Sequence, residues 1–199
     1  MSSTDKEMKT LAFINPKGGV GKTSLVDQVA YRMQELGIAV ELVDLDPQQG
    51  TYFNESSENP RIVLVDTRGS FDTGLDNLSD DETIAAVIEQ CDYVAIPVQL
   101  DRDSEEPCAK VVSLAKAHGK PYKIMPNRTR MHYALDRAKF AEFCAEYPGN
   151  VSTNVVRDGA VVGQARDLFM SWSDVDKKSK TVADLNALVD ELLVWMGVK

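Results

Sequence analysis

Leu11-Ala12-Phe13-Ile14-Asn15-Pro16-Lys17-Gly18-Gly19-Val20-Gly21-Lys22-Thr23-Ser24 is the stretch on which the fold turns. Residues 11–15 have the length and composition of a strand buried on both faces. They break into a glycine-rich turn. Residues 24–36 then read as a helix, with Leu25, Val29 and Leu36 among its apolar positions and Gly37 as its stop. Strand, G-x-x-G-K-T loop and helix in that order make a phosphate cradle. Glycines let successive N–H groups turn toward phosphate oxygens, and the helix amino terminus adds partial positive charge. Lys22 is placed to reach the β- and γ-phosphates, and the Thr23 hydroxyl to ligate Mg²⁺. The strict pattern G-x-x-x-x-G-K-[ST] wants glycine at position 16, where this chain has Pro16, so the loop is a variant. An ordinary glycine-rich turn is the plain alternative, and the flanking strand and helix argue against it.

Working outward, short apolar runs alternate with longer amphipathic stretches. Strands are predicted over residues 38–45, 62–65, 93–98, 122–125 and 151–156. Helices are predicted over 80–90, 104–118, 134–147, 159–169 and 182–196, with polar loops at 54–60 and 174–180. This succession predicts an α/β fold: a mostly parallel sheet, helices on both faces, and ligands at the carboxyl ends of the strands. The length suits a single domain over residues 1–199, with a tail over 1–9.

The chain has 22 basic and 31 acidic residues, a net charge of −9, which argues against a uniformly basic nucleic-acid binder. Residues 116–139 are the exception. Lys116, Lys120, Lys123, Arg128, Arg130, Arg137 and Lys139 stand against Asp136 alone, a local charge of +6. Surface patterning and an anion-binding patch both remain open there. Cys91, Cys108 and Cys144 are widely spaced without a C-x-x-C pair. No disulfide framework, zinc site or intrachain iron–sulfur cage is expected, and a reducing cytoplasm fits. No secretory leader or membrane-spanning run is visible. The polar side of the last helix carries Asp184, Asp190 and Glu191 rather than cations, so it is expected to pack on the sheet instead of lying on a membrane. His118 and His132 read as surface residues.

Lys17-Gly18-Gly19-Val20-Gly21-Lys22-Thr23 resembles the deviant Walker A signature, K-G-G-x-x-K-[ST], of the ParA/MinD group of P-loop ATPases. The resemblance implies a P-loop NTPase that binds ATP through Lys17, Gly18, Gly19, Val20, Gly21, Lys22, Thr23 and Ser24. It further implies that Lys17 contacts ATP held by a second subunit, so that two chains sandwich two nucleotides. Asp44-Leu45-Asp46-Pro47-Gln48 looks like the group's D-x-D-P-Q segment. By that likeness Asp46 polarises the attacking water and, with Lys17 and Lys22, forms the catalytic set, while Asp44 supports Mg²⁺. Ile62-Val63-Leu64-Val65-Asp66-Thr67 resembles the Walker B strand, with Asp66 near Mg²⁺ through water. Arg68-Gly69-Ser70 departs from the group's usual proline-containing turn. Asn127 stands where the group often places an asparagine on the adenine edge.

The likeness is greatest to small plasmid partition ATPases. It implies slow ATP hydrolysis stimulated by a ParB-like or other adaptor, an ATP-bound homodimer, and sequence-independent DNA binding that hydrolysis erases. Cytoplasmic, nucleoid-associated localisation follows, with no membrane role. Lys116, Lys120, Lys123, Arg130, Arg137 and Lys139 are the expected DNA contacts. No helix-turn-helix extension precedes the first strand, so operator recognition is not expected. The alternatives are a small-molecule ATP-dependent synthetase on the same fold and a MinD-like membrane-associated positioning ATPase.

Overall fold

The structure, a computed structural model, describes residues 7–45, 51–53, 57–67 and 80–199. Strands β1 (Lys9–Phe13), β2 (Val40–Asp44), β3 (Ile62–Asp66), β4 (Tyr93–Val98) and β5 (Tyr122–Pro126) form one parallel sheet in the order β2-β3-β1-β4-β5. The helices are α1 (Lys22–Glu35), α2 (Asp80–Gln90), α3 (Glu105–Ala117), α4 (Ala134–Glu146), α5 (Ala160–Leu168), α6 (Trp172–Asp176) and α7 (Lys180–Trp195).

Two cores explain why the strands read as unbroken apolar runs. On β1, Leu11 and Phe13 enter the core shared with α1, α5, α6 and α7, while Ala12, and Ile14 just past the strand, enter the one shared with α2, α3 and α4. A period of two thus serves two buried faces at once. The chain leaves β1 toward β2 on one side and leaves β4 toward β5 on the other. That reversal opens a crevice between the carboxyl ends of β1 and β4, the place where open α/β sheets bind ligands.

The boundaries of the phosphate region shift. β1 lies two residues ahead of the predicted run because Lys9 and Thr10 already pair with Ile62 and Val63. Helix α1 opens at Lys22 rather than at residue 24. Residues 151–156 are not a strand. Val151 and Arg157 make isolated bridges to Ile124 and Thr129. Between them, Ser152 Oγ and Asn154 Nδ2 each donate to Glu191 of α7 at 2.8 Å. Side-chain hydrogen bonds to a helix carboxylate there take the place of a ladder. The loop predicted over 174–180 is partly helical: Ser171 Oγ accepts the Asp174 N–H at 3.1 Å, and the buried Trp172 anchors α6. Asp46 and the turn at Arg68 lie outside the described residues.

Candidate nucleotide site

Residues 14–21 link β1 to α1 in the crevice between β1 and β4. Gly19 and Gly21 take left-handed φ angles of 76° and 82°. A Cβ on Gly21 would lie 2.8 Å from Asn127 Nδ2, so backbone angle and space both demand glycine. Gly21 is also the N-cap of α1, and no side chain caps it. The helix amino end therefore presents N–H groups to an external anion. Neighbouring loops fix the turn. Asn127 Nδ2 donates to the Val20 carbonyl at 2.9 Å, and Arg128 Nη1 and Gln99 Nε2 donate to Gly19 at 3.1 and 3.3 Å. Asn15 Oδ1 accepts the Lys17 N–H at 2.9 Å, and its amide donates to Pro97 at 2.7 Å.

The two loop lysines have different surroundings. Lys22 opens α1 and is buried. Lys17 reaches the loop after β4, where its Nζ lies 2.8 Å from both Asp101 oxygens and 3.1 Å from Ser104 Oγ. Partial burial would raise the Asp101 carboxyl, but the hydrogen bonds from Lys17 and Ser104 outweigh it and hold it below the usual range.

Acidic side chains gather beside the loop. Asp44 and Asp66 are register partners on adjacent strands, and Asp66 is level with Phe13 at the end of β1. Asp44 accepts the Thr51 N–H at 2.8 Å, and Thr67 Oγ1 donates to the Phe13 carbonyl at 2.8 Å. Behind them on α1, the buried Asp27 has its carboxyl pushed up to about 7, chiefly by burial. Two backbone N–H groups oppose that rise, and the charges of Asp66 and Asp44 add to it. Among the described residues no three His, Cys, Asp or Glu side chains form a metal cage. Asp44 and Asp66, paired at adjacent strand ends, and Thr23, second residue of α1, offer hard oxygen donors. They fit a Mg²⁺ whose shell is completed by phosphate and water.

A cleft of about 190 Å³ continues from Gly21 and Ser24 between Asn127, Asp158 and α5. Asn127 lines it, with its amide nitrogen engaged on the loop.

The basic stretch does not form one patch. Strand β5 runs through it, so Lys116 and Lys120 precede the amino end of the sheet while Arg130 and Arg137 follow its carboxyl end. Lys120 Nζ donates to the Glu89 carbonyl at 3.0 Å, and Lys116 lies over the Tyr122 ring. Lys123 is corrected outright as a surface contact: it is buried, paired with Glu191 at 3.1 Å, and lies over the Trp195 ring. Although β5 is an edge strand, this side chain is turned onto Glu191 and Trp195 and so is kept from a phosphate backbone. Lys139 is held by Glu105 at 2.5 Å and by Glu142. Arg130 and Arg137 are exposed, the first over the Tyr133 ring and the second donating to the Met131 and His132 carbonyls.

Asp101 and Asp27 escape a reading of the sequence. Asp101 is 84 residues from Lys17, and its only signal is its position just after an apolar strand. Asp27 stands in a helix among apolar residues, with no spacing that marks it.

The sequence pattern of an AAA domain family, AAA_31, matches residues 8–100. Protein IncC of Escherichia coli is 50% identical over 44 residues, 22% of this chain and 12% of IncC. Cell division protein PomZ of Myxococcus xanthus is 61% identical over 36 residues, 18% of this chain and 11% of PomZ. The matched stretches thus span about a tenth of either relative's length. Among solved structures, apo McdA of Cyanothece superposes with a TM-score of 0.73 over 94% of this chain and 100% of McdA, at 13% identity. The chain thus carries an AAA_31 match over residues 8–100 and shares its overall fold with the solved McdA and MinD structures.

Proposed function

We infer that this chain is an ATPase that dimerises around ATP, binds DNA without sequence preference in that state, and is released by partner-stimulated hydrolysis. Such a cycle would partition or position a cargo. The observation that carries the reading is a phosphate loop with two lysines in different places. The buried Lys22 opens α1, where phosphates bound by the same chain would lie. Lys17 is held at the rim by Asp101 and has the reach to serve another chain's nucleotide.

Catalysis on this reading is positioning and electrostatics. Loop amides and the α1 amino end hold the phosphates, and Lys22 and Lys17 face the charge that develops on transfer. Asp46 orients water by resemblance alone. Thr23, Asp44 and Asp66 would hold Mg²⁺, which when bound supplies charge neutralisation at the phosphates. Solved structures of this fold include an McdA–ATP complex and a cobyrinic acid a,c-diamide synthase with ADP and magnesium, at 13% and 14% identity. At that identity they support the fold rather than the choice between partition and synthesis. Asn127 and the cleft beside Ser24 suit the nucleoside end.

Arg130 and Arg137 are the better candidates for DNA, because they follow the same sheet end as Lys17. Two chains meeting through that end would bring both sets together. With roughly four phosphates neutralised per dimer, binding weakens about 150-fold from 50 to 200 mM salt. A ParB-like or other adaptor would stimulate hydrolysis. Among the described residues no helix is long and apolar enough to cross a membrane. A nucleoid-associated location follows from the DNA reading.

The test is DNA retention of the purified chain with ADP, with ATP, and with ATP in the Asp46→Ala variant, at low and high salt. Retention that needs ATP, increases in the variant and disappears at high salt is expected. Equal or absent retention in every state overturns the reading.

A further inference from the structure

Asp27 has no role in the nucleotide reading, and the fold does not call for it. It is fully buried in the core face of α1 between Val26 and Gln28, where an apolar side chain would avoid desolvating a carboxylate. Its surroundings show what it holds. Oδ1 accepts the Phe53 N–H at 3.1 Å, and Oδ2 the Tyr52 N–H at 3.4 Å. The next residue along α1, Gln28, donates to the Tyr52 hydroxyl, and Tyr31 Oη reaches the Tyr52 carbonyl at 3.4 Å. The buried Phe53 ring lies edge-on to Tyr31, centroids 5.0 Å apart. Thr51, first of the three, donates its N–H to Asp44 Oδ2 at 2.8 Å. Residues 51–53 are therefore a strap, fastened to α1 by two residues and touching the metal-side carboxylate with the third. Thr23 and Asp27 are four residues apart on α1 and share a face, so the strap is anchored one turn behind the Thr23 hydroxyl.

We propose that Asp27 is a positioning residue that orients Asp44 for Mg²⁺ through the strap Thr51-Tyr52-Phe53, an inference that rests on the nucleotide reading above. Outer partners that orient a metal-binding carboxylate typically account for 10- to 100-fold in metal affinity. Asp27 differs from an ordinary second partner in acting through main chain, so its loss loosens Asp44 without removing any group from the phosphate loop.

The test compares the full-length chain with Asp27→Leu and Asp27→Asn at about pH 8, where the carboxylate is ionised. A fluorescent ATP analogue is titrated with and without Mg²⁺, and hydrogen exchange at Tyr52 and Phe53 is followed in the nucleotide-free chain. Asp27→Leu is expected to weaken the apparent Mg²⁺ affinity by roughly 10- to 100-fold. Metal-free nucleotide affinity stays in place while the two amides exchange faster by about tenfold, the worth of one charge-assisted hydrogen bond. Asn keeps one acceptor and falls between, and it carries the test alone if the Leu variant does not fold. Unshifted Mg²⁺ affinity in the folded variants overturns the proposal, as does an equal loss of metal-free and Mg²⁺-dependent binding. A wild-type chain that binds no nucleotide overturns the nucleotide reading and the proposal together. Wild-type Mg²⁺-dependent binding with unshifted variants overturns the proposal alone.

Discussion

Residues 15–23 and residues 116–139 both concentrate functional-looking polar groups, and the fold treats them in opposite ways. The first stretch turns back at one sheet end, and everything it carries stays within reach of β1, β3 and β4. Asn15 is tied to Pro97, Lys17 to Asp101, and Lys22 opens the helix that follows β1, whose last residue is level with Asp66. The second stretch contains β5. Five strand residues at about 3.3 Å each separate its ends by roughly 16 Å, and Lys123 lies inside between them. Charge clustered in sequence becomes charge clustered in space only where the chain turns without crossing the sheet.

The convergence at the phosphate loop predicts the largest effect. Removing one partner of a buried charged contact typically costs about 2–5 kcal/mol, roughly 30- to 5,000-fold in affinity. Lys22→Ala should lose nucleotide binding by that amount, measured by titration with a fluorescent ATP analogue. Lys17→Ala should leave one chain's own affinity within about threefold, as for an exposed ion pair, while abolishing ATP-dependent dimers in sedimentation. Equal losses in the two variants would erase the distinction between the buried and the rim lysine.

The same crowding should appear as pH dependence. The carboxyl of Asp27 is raised to about 7, so the folded chain takes up a proton there before the unfolded chain does. Its contribution to stability is fully present below the ordinary carboxylate range and is lost as pH rises through about 7. Relative to Asp27→Asn, the wild type should lose at most about 4 kcal/mol between pH 4 and pH 8, read by urea unfolding. Parallel curves for the two proteins would show that Asp27 does not titrate in that range.

These two regions also show how much the sequence discloses. The loop was legible because its chemistry is local: G-x-x-G-K-T between a strand and a helix admits few other uses, and an apolar run ending in Asp66 marks a strand's carboxyl end. Asp101 was not legible, because its partner is Lys17, 84 residues away, and the sheet order that joins them is set by packing. The false strand at 151–156 had β-branched residues at its ends, but Glu191, nearly forty residues on, draws its polar middle away from the ladder. Lys123 looked like surface because lysine usually is. Its pairing with Glu191 is another long-range contact that no spacing announces.

The split of the basic stretch can be tested directly. Arg130 and Arg137 reversed to Glu should remove the phosphate contacts of both chains in a dimer, lowering the salt slope of ATP-dependent DNA retention by about 3.6. Lys116 and Lys120 reversed to Glu should leave the slope within about one contact of wild type. The opposite ranking would place DNA at the amino end of the sheet, and equal losses would mean that both ends touch it.

The smallest effect concerns the hold on Lys17 within the free chain. Its partner Asp101 has a side chain 42% exposed, so solvent screens the pair and limits its worth to about 1 kcal/mol. Breaking the pair should still matter in one direction. A lysine engaged with Asp101 is withdrawn from any nucleotide on a second chain, so Asp101→Asn should tighten ATP-dependent dimers by about two- to fivefold. Sedimentation with a non-hydrolysable ATP analogue measures this, and the gain should shrink at high salt, where an exposed pair is already weakened. A variant that dimerises no better, or less well, would mean that Asp101 supports the across-interface geometry of Lys17 instead of competing with it. The rim lysine would then act from its present position.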